Sequence, residues 1–596
     1  MALAPARDNI REEIKTLAKV SDTDALYRLL GTELSEQDLI KIDKLPNSLK
    51  QSLCSQALNL AVISNTTTDF LLPVLRSCAL RDGISLEVIN HDYGQAMEFI
   101  MNPDSPLYDD AINGVLVAFD YHAFEQDDGA AEQIIQKLKS VKCGPLFIQT
   151  VPSPPHMIFG NEERRQSDSL RQRIVNFNTF AAEHADYLID IAYLAEYVGL
   201  SQWYNDIYYH LAKIPFDSRH LPLYGSFVAR SLALSKGVFG KCLVLDLDNT
   251  LWGGVIGDDG VENIEIGQGS PAGEAFLQFQ RTLLEYKKRG IILTVCSKNE
   301  ENIARAAFRE HSGMLLKEDD IALFIANWND KASNIKSIAE TLNIGMDALV
   351  FVDDNPAERE QVRQALPMVK VLELPQDPSL YARALMFSGL LESAGVTEDD
   401  LKRTEQYAAR MKAANLLDSS DSYDDYLKTL EMTAKITSFD AMGRKRIGQL
   451  INKTNQFNLT TKRYTEAQVE TFEADDAVLT YQIHLADKFC DHGMIGVIIA
   501  NVEKETIKID SWLMSCRILK RGLENLAMNT LIKDAAVLGI ETIVGTYRPT
   551  QKNPMVADFY ERFGFEKTAE ESDGTTIWQL ATSAYENKTT YITQGN

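Results

Sequence analysis

The sequence predicts a multidomain α/β protein, because short apolar runs alternate with amphipathic helical stretches along most of the chain. Its length of 596 residues is too great for one hydrophobic core, so about three to four domains are expected. Several apolar runs end in acidic or hydroxyl residues. This pattern is typical of buried parallel strands whose carboxyl ends carry functional groups.

The composition is that of a globular protein, with 45% hydrophobic and 24% charged residues. A formal net charge of −25 argues against nucleic acid or a membrane surface as a partner, because phosphate groups need a basic surface. The 7 cysteines are scattered and form no CxxC pair, so neither a disulfide framework nor a zinc site is indicated. We expect a cytoplasmic protein, since the chain shows no signal-peptide core and no apolar run of membrane-spanning length.

The first part of the chain divides in two. Residues 1–57 have helical periodicity with charged faces, which predicts a small helical leader or docking segment. Residues 58–232 alternate strand-like and helix-like stretches, which predicts a parallel sheet with crossover helices.

This second segment resembles the SGNH-hydrolase fold. The resemblance implies a nucleophile after the first strand, where Ser64 and Thr66 stand, and a catalytic pair formed by Asp217 and His220. The Gly-Asn-Asp block of that fold is absent, so a scaffold or a carrier-docking domain is the alternative to an esterase.

The most informative stretch is LVLDLDNT at 243–250, where a Val/Leu-rich run ends in Asp246 and Asp248. The run predicts a buried strand, and its carboxyl end is where open α/β sheets place active sites. Two close carboxylates repel each other unless a cation or a proton intervenes, so Mg²⁺ is the natural partner. One aspartate could then attack phosphorus while the other transfers protons. A solvated turn at a strand end is the alternative.

Three later motifs extend this pattern. A second apolar run ends in Ser297, whose hydroxyl can hydrogen-bond a phosphoryl oxygen. Lys331 begins a helical stretch, and its charge can offset the phosphoryl group and the attacking aspartate. A third apolar run ends in Asp353 and Asp354, a second acidic pair for the metal.

The order DxDxT, Ser, Lys and DD resembles the haloacid dehalogenase (HAD) superfamily of phosphatases, here over residues 240–377. The resemblance implies that Asp246 is the nucleophile and Asp248 the general acid/base. It also implies that Ser297 and Lys331 bind phosphate, with Lys331 counted among the catalytic residues. The substrate contacts that we predict are Thr250, Ser297 and Asn299. The predicted Mg²⁺ ligands are Asp246, Asp248, Asp353 and Asp354, with Asp354 favoured over Asp353 as the direct ligand of that pair.

The segment between Thr250 and Leu293 bears on the size of the substrate. It holds only the turn-rich LWGGVIGDDG and one amphipathic helix that ends at Gly290. No cap domain fits in this length. We therefore expect an open site that a large substrate or the phosphate arm of a partner protein can reach, unless a neighbouring domain acts as the lid.

Longer stretches of 241–567 resemble the FkbH-like family of polyketide biosynthesis, namely LVLDLDNTLWGGVIGDDG, LINKTNQFNLTTKRYT, SCRILKRGLE and FYERFGFE. The resemblance implies a phosphatase and glyceryl transferase that draws a glyceryl unit from 1,3-bisphosphoglycerate and removes the phosphate. It then loads the unit as a thioester on the phosphopantetheine arm of an acyl carrier protein. A plain Mg²⁺ phosphatase with scaffold domains, or a loader of another unit such as lactyl, is the alternative.

A charged helical connector is predicted for 378–431, and a short tail for 586–596. Between them, 432–585 shows strands, a helix, a strand and a helix, an order similar to the GNAT acyltransferase fold. That fold binds coenzyme A pyrophosphate at a glycine-rich loop. Here the loop is RILKRGLE with Gly522 as its single glycine, so a phosphopantetheine arm is the expected ligand instead.

Cys516 stands just before that loop, beside Arg517 and near a helix N-terminus, which should lower the pKa of its thiol. We therefore predict that Cys516 is the acyl-carrying nucleophile, that Arg517 binds substrate, and that His492 is the base if the two strands pair. Cys490 is a second candidate for the acyl-carrying thiol. A small buried side chain is the alternative role for Cys516.

The polar stretch INKTNQFN suits a polyhydroxy acyl or phosphate group, so we expect Asn455, Gln456 and Asn458 to bind substrate. A hydrogen-bonded turn is the alternative. An acidic carrier protein would also need a local basic patch on this acidic chain. The candidates for that patch are Arg444, Lys445 and Arg446, or Lys520 and Arg521.

Overall fold

The computed structural model describes residues 10–20, 22–54, 56–126, 129–140, 144–393, 423–488, 491–515, 521–550 and 552–595. The chain forms two compact units, of which the first ends at Val238 and the second begins at Phe239. Within the described ranges, every helix is too short or too polar to cross a lipid bilayer.

The first unit is built on a parallel sheet whose five described strands have the order β2-β1-β3-β4-β5. The strands are β1 Gln56–Ile63, β2 Ile84–Ile89, β3 Gly114–Val117, β4 Leu146–Gln149 and β5 Tyr187–Ile189. The helices are α1 Ile10–Leu17, α2 Thr23–Leu30, α3 Glu36–Asp43, α4 Asn47–Ser52, α5 Leu72–Arg81, α6 Ala96–Met101, α7 Ala130–Lys139, α8 Leu170–His184, α9 Ile191–Val198, α10 Leu200–Trp203, α11 Asp206–Ala212 and α12 Leu221–Ser235. The central strands β3 and β4 are buried along their whole length, as expected of a sheet covered on both faces.

The helices of the predicted leader pack on this sheet unit. Arg76 of α5 forms an ion pair with Asp43 of α3, with 2.7 Å between Nη2 and Oδ2. Ser77 Oγ donates a hydrogen bond to the carbonyl oxygen of Leu39 at 2.7 Å. Helices α1–α4 therefore belong to the same compact unit as the parallel sheet.

The second unit begins with another parallel sheet, with the strand order β10-β9-β6-β7-β8. Its strands are β6 Cys242–Leu245, β7 Ile292–Ser297, β8 Leu323–Ala326, β9 Leu349–Val352 and β10 Lys370–Val371. The helices are α13 Ile256–Asp259, α14 Pro271–Lys288, α15 Glu301–Glu310, α16 Lys331–Leu342, α17 Pro356–Ala365 and α18 Tyr381–Phe387. Alternate side chains of β6 enter two hydrophobic cores, with Leu243 in one and Val244 in the other.

The segment between β6 and β7 contains no additional domain. Helix α14 begins where the Ser270 hydroxyl accepts a hydrogen bond from the Gly273 N–H, and Pro271 occupies its first turn. It ends just before Gly290, which adopts a φ of 84°. The single long helix and the missing cap that the sequence predicts are both observed.

The rest of the second unit is an α/β domain on a mixed sheet, with the strand order β16-β17-β15-β14-β13-β12-β11-β18 in the described residues. The strands are β11 Thr433–Thr437, β12 Val478–Ala486, β13 Asp491–Glu503, β14 Thr506–Met514, β15 Thr542–Tyr547, β16 Glu566–Glu570, β17 Thr576–Ala581 and β18 Thr593–Gln594. The helices are α19 Tyr423–Thr429, α20 Arg444–Lys453, α21 Glu466–Ala474, α22 Leu523–Val537 and α23 Phe559–Arg562. We call this part the C-terminal domain, and the part built on β6–β10 the phosphatase-like domain.

Candidate active site

Two adjacent strands of the phosphatase-like domain bring acidic side chains together. Strands β6 and β9 pair in register, so that Leu245 lies opposite Val352. The next residue on each strand is an aspartate, and the Asp246 N–H donates to the Val352 carbonyl oxygen at 2.9 Å. Asp246 and Asp353 are buried and Asp354 is half-buried. One carboxylate oxygen of each lies within 4.8 Å of the others.

Lys331 is the counter-charge in this cluster. Asp330 caps helix α16 by accepting a hydrogen bond from the Ser333 N–H at 2.9 Å, and this fixes the first residue of the helix, Lys331. The Lys331 Nζ lies 2.9 Å from Asp246 Oδ1 and 2.5 Å from Asp353 Oδ2. Burial alone would lower the pKa of Lys331, but the two carboxylates outweigh burial and raise it.

The cluster fits a divalent cation. Burial raises the pKa of Asp353, and the charge of Asp246 raises it further. The pKa of Asp354 is raised by the same two causes. Three carboxylates share one ammonium group, so negative charge remains that a hard cation with oxygen ligands would neutralise.

Asp248 is not one of the three converging carboxylates, and its role as a metal ligand stays a prediction. Both of its carboxylate oxygens are taken up elsewhere. Its Oδ1 accepts hydrogen bonds from Trp252 Nε1 and from the Ile256 N–H, each at 3.0 Å. Its Oδ2 accepts from Asn299 Nδ2 at 2.9 Å. Three donors thus hold the side chain in one orientation, which suits a group that transfers protons.

The predicted substrate contacts lie around the cluster. Asn299 Nδ2 also donates to Ser297 Oγ at 3.2 Å, so Ser297, Asn299 and Asp248 form one hydrogen-bonded group. The Thr250 hydroxyl accepts a hydrogen bond from the Asp354 N–H at 3.1 Å, and Thr250 is fully buried. Thr250 therefore supports the second acidic pair, and its contact with a substrate stays a prediction.

Arg359 is a supporting residue that the sequence interpretation missed. Its Nη1 donates to the carbonyl oxygens of Asp353 and Asp354 at 2.8 and 2.7 Å, which holds the loop after β9. The side chain is buried although it lies on the polar helix α17. The available signal was an arginine a few residues after the acidic pair, a position where its side chain can reach back to the strand end.

The C-terminal domain contacts the opposite edge of this sheet. Lys552 forms an ion pair with Asp347, with 2.7 Å between Nζ and Oδ2, and Asp347 precedes β9. Lys241 precedes β6, and its Nζ donates to the Lys453 carbonyl oxygen at 2.8 Å. Strands β6 and β9, each of four residues and so about 13 Å long, lie between these contacts and the aspartates. At these contacts the C-terminal domain is not a lid over the candidate site.

The polar INKTNQFN stretch has a structural role at this edge. Asn458 is fully buried, where its Nδ2 donates to the Thr454 carbonyl oxygen at 3.2 Å and its Oδ1 accepts from the Thr461 N–H at 2.8 Å. Asn458 is therefore part of a hydrogen-bonded turn, which corrects its prediction as a substrate contact. A Cβ built on Gly345 would lie 3.7 Å from Gln456 Nε2, which places Gln456 beside the amino end of β9.

Asn455 belongs to the same turn region, since its Oδ1 accepts a hydrogen bond from Arg463 Nη2. Its contact with a substrate stays a prediction.

The first candidate basic patch is engaged within the protein at its two arginines. Arg444 Nε lies 2.5 Å from Glu473 Oε2, and Arg446 is buried. These two arginines therefore do not form an open basic surface.

His492 lies in a buried ionic cluster. Its Nε2 is 2.8 Å from Asp487 Oδ2, and Arg521 Nη1 is 2.5 Å from the same oxygen. All three side chains are almost fully buried. Arg521 is therefore not the exposed basic residue that we predicted for carrier docking, because it compensates the charge of Asp487. Cys516, Arg517, Cys490 and Lys520 lie outside the described residues.

The candidate esterase residues of the first unit do not form a catalytic triad. Ser64 Oγ donates to the Ala118 carbonyl oxygen at 2.8 Å and lies 2.9 Å from Thr66 Oγ1. Asp217 Oδ1 accepts from Arg219 Nε at 2.9 Å. His220 Nε2 instead lies 3.0 Å from the Gln202 carbonyl oxygen. The predicted Asp217–His220 pair is wrong, because the arginine between them in sequence takes the carboxylate.

A different acid and histidine are paired in this unit. Asp120 and His122 follow β3, with 2.8 Å between Asp120 Oδ2 and His122 Nδ1. Asn65 Nδ2 donates to the other oxygen of Asp120 at 2.5 Å. The sequence interpretation missed this pair because it searched the loop for Gly-Asn-Asp.

The chain is similar to a solved phosphatase-containing protein. No protein-family model and no curated protein sequence matches it. The N-terminal part of the protein BF1531 from Bacteroides fragilis, which contains a phosphatase domain complexed with Mg, matches with 31% identity and a TM-score of 0.56. The match covers 61% of this chain and 100% of that chain.

Two acetyltransferase structures match a smaller share. The ribosomal-protein-S18-alanine N-acetyltransferase from Escherichia coli has 16% identity and a TM-score of 0.21 over 25% of this chain and 94% of its own. Ard1 from Thermoplasma volcanium has 14% identity and a TM-score of 0.20 over 25% of this chain and 97% of its own.

Proposed function

This chain belongs to the haloacid dehalogenase (HAD) superfamily of phosphatases, and we propose that it couples phosphoryl hydrolysis to glyceryl transfer. The glyceryl unit comes from 1,3-bisphosphoglycerate, and its acceptor is the phosphopantetheine thiol of an acyl carrier protein. The observation that carries the phosphatase part is the convergence of Asp246, Asp353, Asp354 and Lys331 at two adjacent strand ends. The acyl-transfer part is supported by the resemblance to the FkbH-like family.

The metal of the proposed phosphatase site is Mg²⁺, with which the Bacteroides fragilis protein is complexed. The residues that would hold it are Asp246, Asp353 and Asp354, whose carboxylate oxygens already converge. When bound, Mg²⁺ neutralises charge on the phosphoryl oxygens.

In the proposed mechanism each step of hydrolysis belongs to a named side chain. An Asp246 oxygen attacks phosphorus, and the bond from phosphorus to the substrate oxygen breaks while Asp248 gives that oxygen a proton. Water then attacks the aspartyl-phosphate and loses its proton to Asp248, which releases inorganic phosphate and restores Asp246. Lys331 offsets charge on the attacking carboxylate, and Ser297 is positioned to donate a hydrogen bond to a phosphoryl oxygen.

In the acyl-transfer part, Cys516 is the nucleophile that carries the glyceryl unit before the carrier receives it, and His492 is the base for that thiol. The Asp487 carboxylate fixes the orientation of the His492 ring, as carboxylates do for catalytic imidazoles. Arg521 forms an ion pair with the same carboxylate. This buried cluster supports the choice of His492 as a functional group rather than a surface residue.

Intact-mass analysis tests the whole proposal. The full chain is incubated with Mg²⁺, with 1,3-bisphosphoglycerate generated in place, and with a phosphopantetheinylated carrier protein. We expect a glyceryl thioester on this chain and then on the carrier. The variant Cys516→Ala should lose both adducts yet hydrolyse nitrophenyl phosphate at the wild-type rate. If no thioester forms on the wild-type chain or the carrier, while phosphate is released, the protein is a plain phosphatase.

A further inference from the structure

Arg359 is a buried arginine beside the second acidic pair of the phosphatase-like domain. It is 5% exposed, and it lies in the first turns of α17, a few residues after Asp353 and Asp354. A buried guanidinium costs free energy unless hydrogen bonds and an opposite charge compensate it. The partners of Arg359 therefore indicate what this residue contributes to the site.

The guanidinium binds main-chain oxygens rather than the metal-binding carboxylates. One nitrogen, Nη1, donates to the carbonyl oxygens of both Asp353 and Asp354, at 2.8 and 2.7 Å. The other terminal nitrogen, Nη2, lies 3.1 Å from Glu373 Oε2, and Glu373 is its ion-pair partner among the described residues. Arg359 therefore does not compete with a cation for the carboxylate oxygens of the acidic pair.

The loop that carries the acidic pair has little freedom to move. The Asp354 N–H donates to Thr250 Oγ1 at 3.1 Å, and the Asp354 carbonyl oxygen accepts from Arg359, so the backbone of Asp354 is held on both sides. Asp353 is also held through its side chain, since its Oδ2 lies 2.5 Å from Lys331 Nζ. The two aspartates thus present their carboxylates from a fixed backbone.

Glu373 fixes the far end of the Arg359 side chain and links it to a second arginine. Its Oε2 pairs with Arg359, and its Oε1 pairs with Arg363, which lies one turn further along α17 and is half-buried. The two arginines share a helix, a charge and a carboxylate partner. They differ in that Arg359 hydrogen-bonds the two carbonyl oxygens of the loop after β9.

The rigidity of an oxygen site bears on the choice between two hard cations. Mg²⁺ requires a nearly regular octahedron of oxygens at about 2.0–2.1 Å. Ca²⁺ accepts six to eight oxygens at about 2.3–2.6 Å in a more flexible arrangement. A clamp that limits how far the ligands can spread therefore favours Mg²⁺, and a looser loop removes that preference.

We propose that Arg359 makes this site selective for Mg²⁺ over Ca²⁺ by clamping the loop that carries Asp353 and Asp354. This inference rests on the Mg²⁺ site of the proposed function. Arg359 is a positioning residue, which acts through the two aspartates and not on the substrate. Its role depends on the planar fork of the guanidinium, since a lysine would keep the positive charge but not the paired donors.

Isothermal titration calorimetry of the metal-free full chain tests the proposal, with Mg²⁺ alone and Ca²⁺ alone as the probes. In Arg359→Lys we expect the Kd for Mg²⁺ to rise by about tenfold, as is usual when a residue that supports metal ligands is replaced. The Kd for Ca²⁺ should rise by about twofold or less, because a looser loop still suits a larger and more flexible shell. The matched control is Arg363→Lys, which should keep both Kd values of the wild type.

A milder variant covers the case in which Arg359→Lys does not fold, which urea denaturation of the metal-free variants would reveal. Glu373→Gln keeps Arg359 and its donors but replaces the charged anchor of the guanidinium with a neutral amide. The Kd for Mg²⁺ should then rise by about threefold, because a neutral acceptor holds the guanidinium less strongly. The Kd for Ca²⁺ should not change.

The outcomes separate this inference from the function on which it rests. Equal rises of the two Kd values in the folded variant would overturn the inference, and so would wild-type values for both ions. A wild-type chain that binds Ca²⁺ more tightly than Mg²⁺ would overturn it as well. If the wild-type chain bound neither ion, the Mg²⁺ site of the proposed function would itself be wrong.

Discussion

The two parallel sheets of this chain use their carboxyl edges differently. In the first unit, polar groups at that edge satisfy one another, since Asn65 and His122 both bind Asp120, and Ser64 binds a carbonyl oxygen. In the phosphatase-like domain, Asp246, Asp353 and Asp354 converge, with one lysine between the first two. The comparison teaches that a strand end becomes a reactive site when the fold forces like charges together and leaves them incompletely paired.

The largest expected effect is on the nucleophile. Asp246→Asn keeps the shape of the side chain but removes its negative charge, so phosphate release should fall by about a thousandfold or more. The paired variant in the other sheet is Asp120→Asn, which should release phosphate at the wild-type rate. A continuous phosphate-release assay with Mg²⁺ measures both. Near-normal release by Asp246→Asn would refute the covalent role of Asp246.

The buried lysine should dominate stability. Lys331→Met leaves Asp246 and Asp353 facing each other in a buried place, so the free energy of unfolding of the second unit should fall by about 3–5 kcal/mol. Mg²⁺ should restore part of this loss. The control is Lys298→Met, which removes a partly exposed ion pair with Glu358 and should cost about 1 kcal/mol or less. Urea denaturation gives both values, and equal losses would mean that the buried cluster is not under charge strain.

Mg²⁺ should stabilise the protein through the carboxyl edge of the phosphatase-like sheet and not through that of the first unit. At a concentration of about 100 times Kd, binding to the folded state alone adds about 2.7 kcal/mol to the free energy of unfolding. Asp354→Asn removes one of the three converging ligands and should lose most of this gain, whereas Asp120→Asn should keep it. Thermal melts with and without Mg²⁺ are the measurement. An equal gain in both variants would place the cation elsewhere.

A smaller effect should follow from removing one of the hydrogen-bond donors that orient Asp248, the proposed proton-transfer group. Trp252→Phe keeps a buried ring but removes one of the three donors to Asp248, so kcat should fall by about tenfold with little change in KM. Tyr224→Phe is the counterpart in the first unit, where it removes a hydrogen bond to Gln149. Its kcat for phosphate release should equal that of the wild type, and a fall there would link the two sheets functionally.

The smallest expected effect concerns Ser64, which the resemblance to the SGNH-hydrolase fold would make the nucleophile. Ser64→Ala removes the hydrogen bond to the Ala118 carbonyl oxygen and should cost about 1 kcal/mol of unfolding free energy. Phosphate release should not change. Hydrolysis of a nitrophenyl ester should be equally slow in the wild type and in the variant. A clear loss of esterase activity would show that the first unit has a second catalytic edge.

Local patterns were sufficient to predict the strands and to place acidic residues at their carboxyl ends. The run before Asp246 is apolar at every position of β6, and only a strand covered on both faces allows that. Ser297 and Asp353 stand at the carboxyl ends of two parallel strands, and Lys331 comes after a third. Their positions therefore predict that the three side chains share one edge of the sheet. The long helix after Ser270 was predictable from its cap, its proline and its terminal glycine.

Side-chain partners could not be predicted in this way. Asp248 and Asp246 are two residues apart, yet one binds Trp252 and Asn299 while the other faces Lys331. The stretch around Asn458 has the composition of a binding loop but forms a buried turn. Composition specifies which groups are present, whereas the partner of each group depends on the backbone conformation and packing around it.

The sequence by itself determined the succession of strands and helices, the acidic strand ends and the absence of a cap, since these depend on local periodicity and segment length. Only the tertiary structure decided that the C-terminal domain contacts the amino edge and that Arg521 is buried against Asp487. The physical reason is that a charge takes the nearest partner that packing allows. That choice is made between segments brought together by the hydrophobic cores, and no local pattern records it.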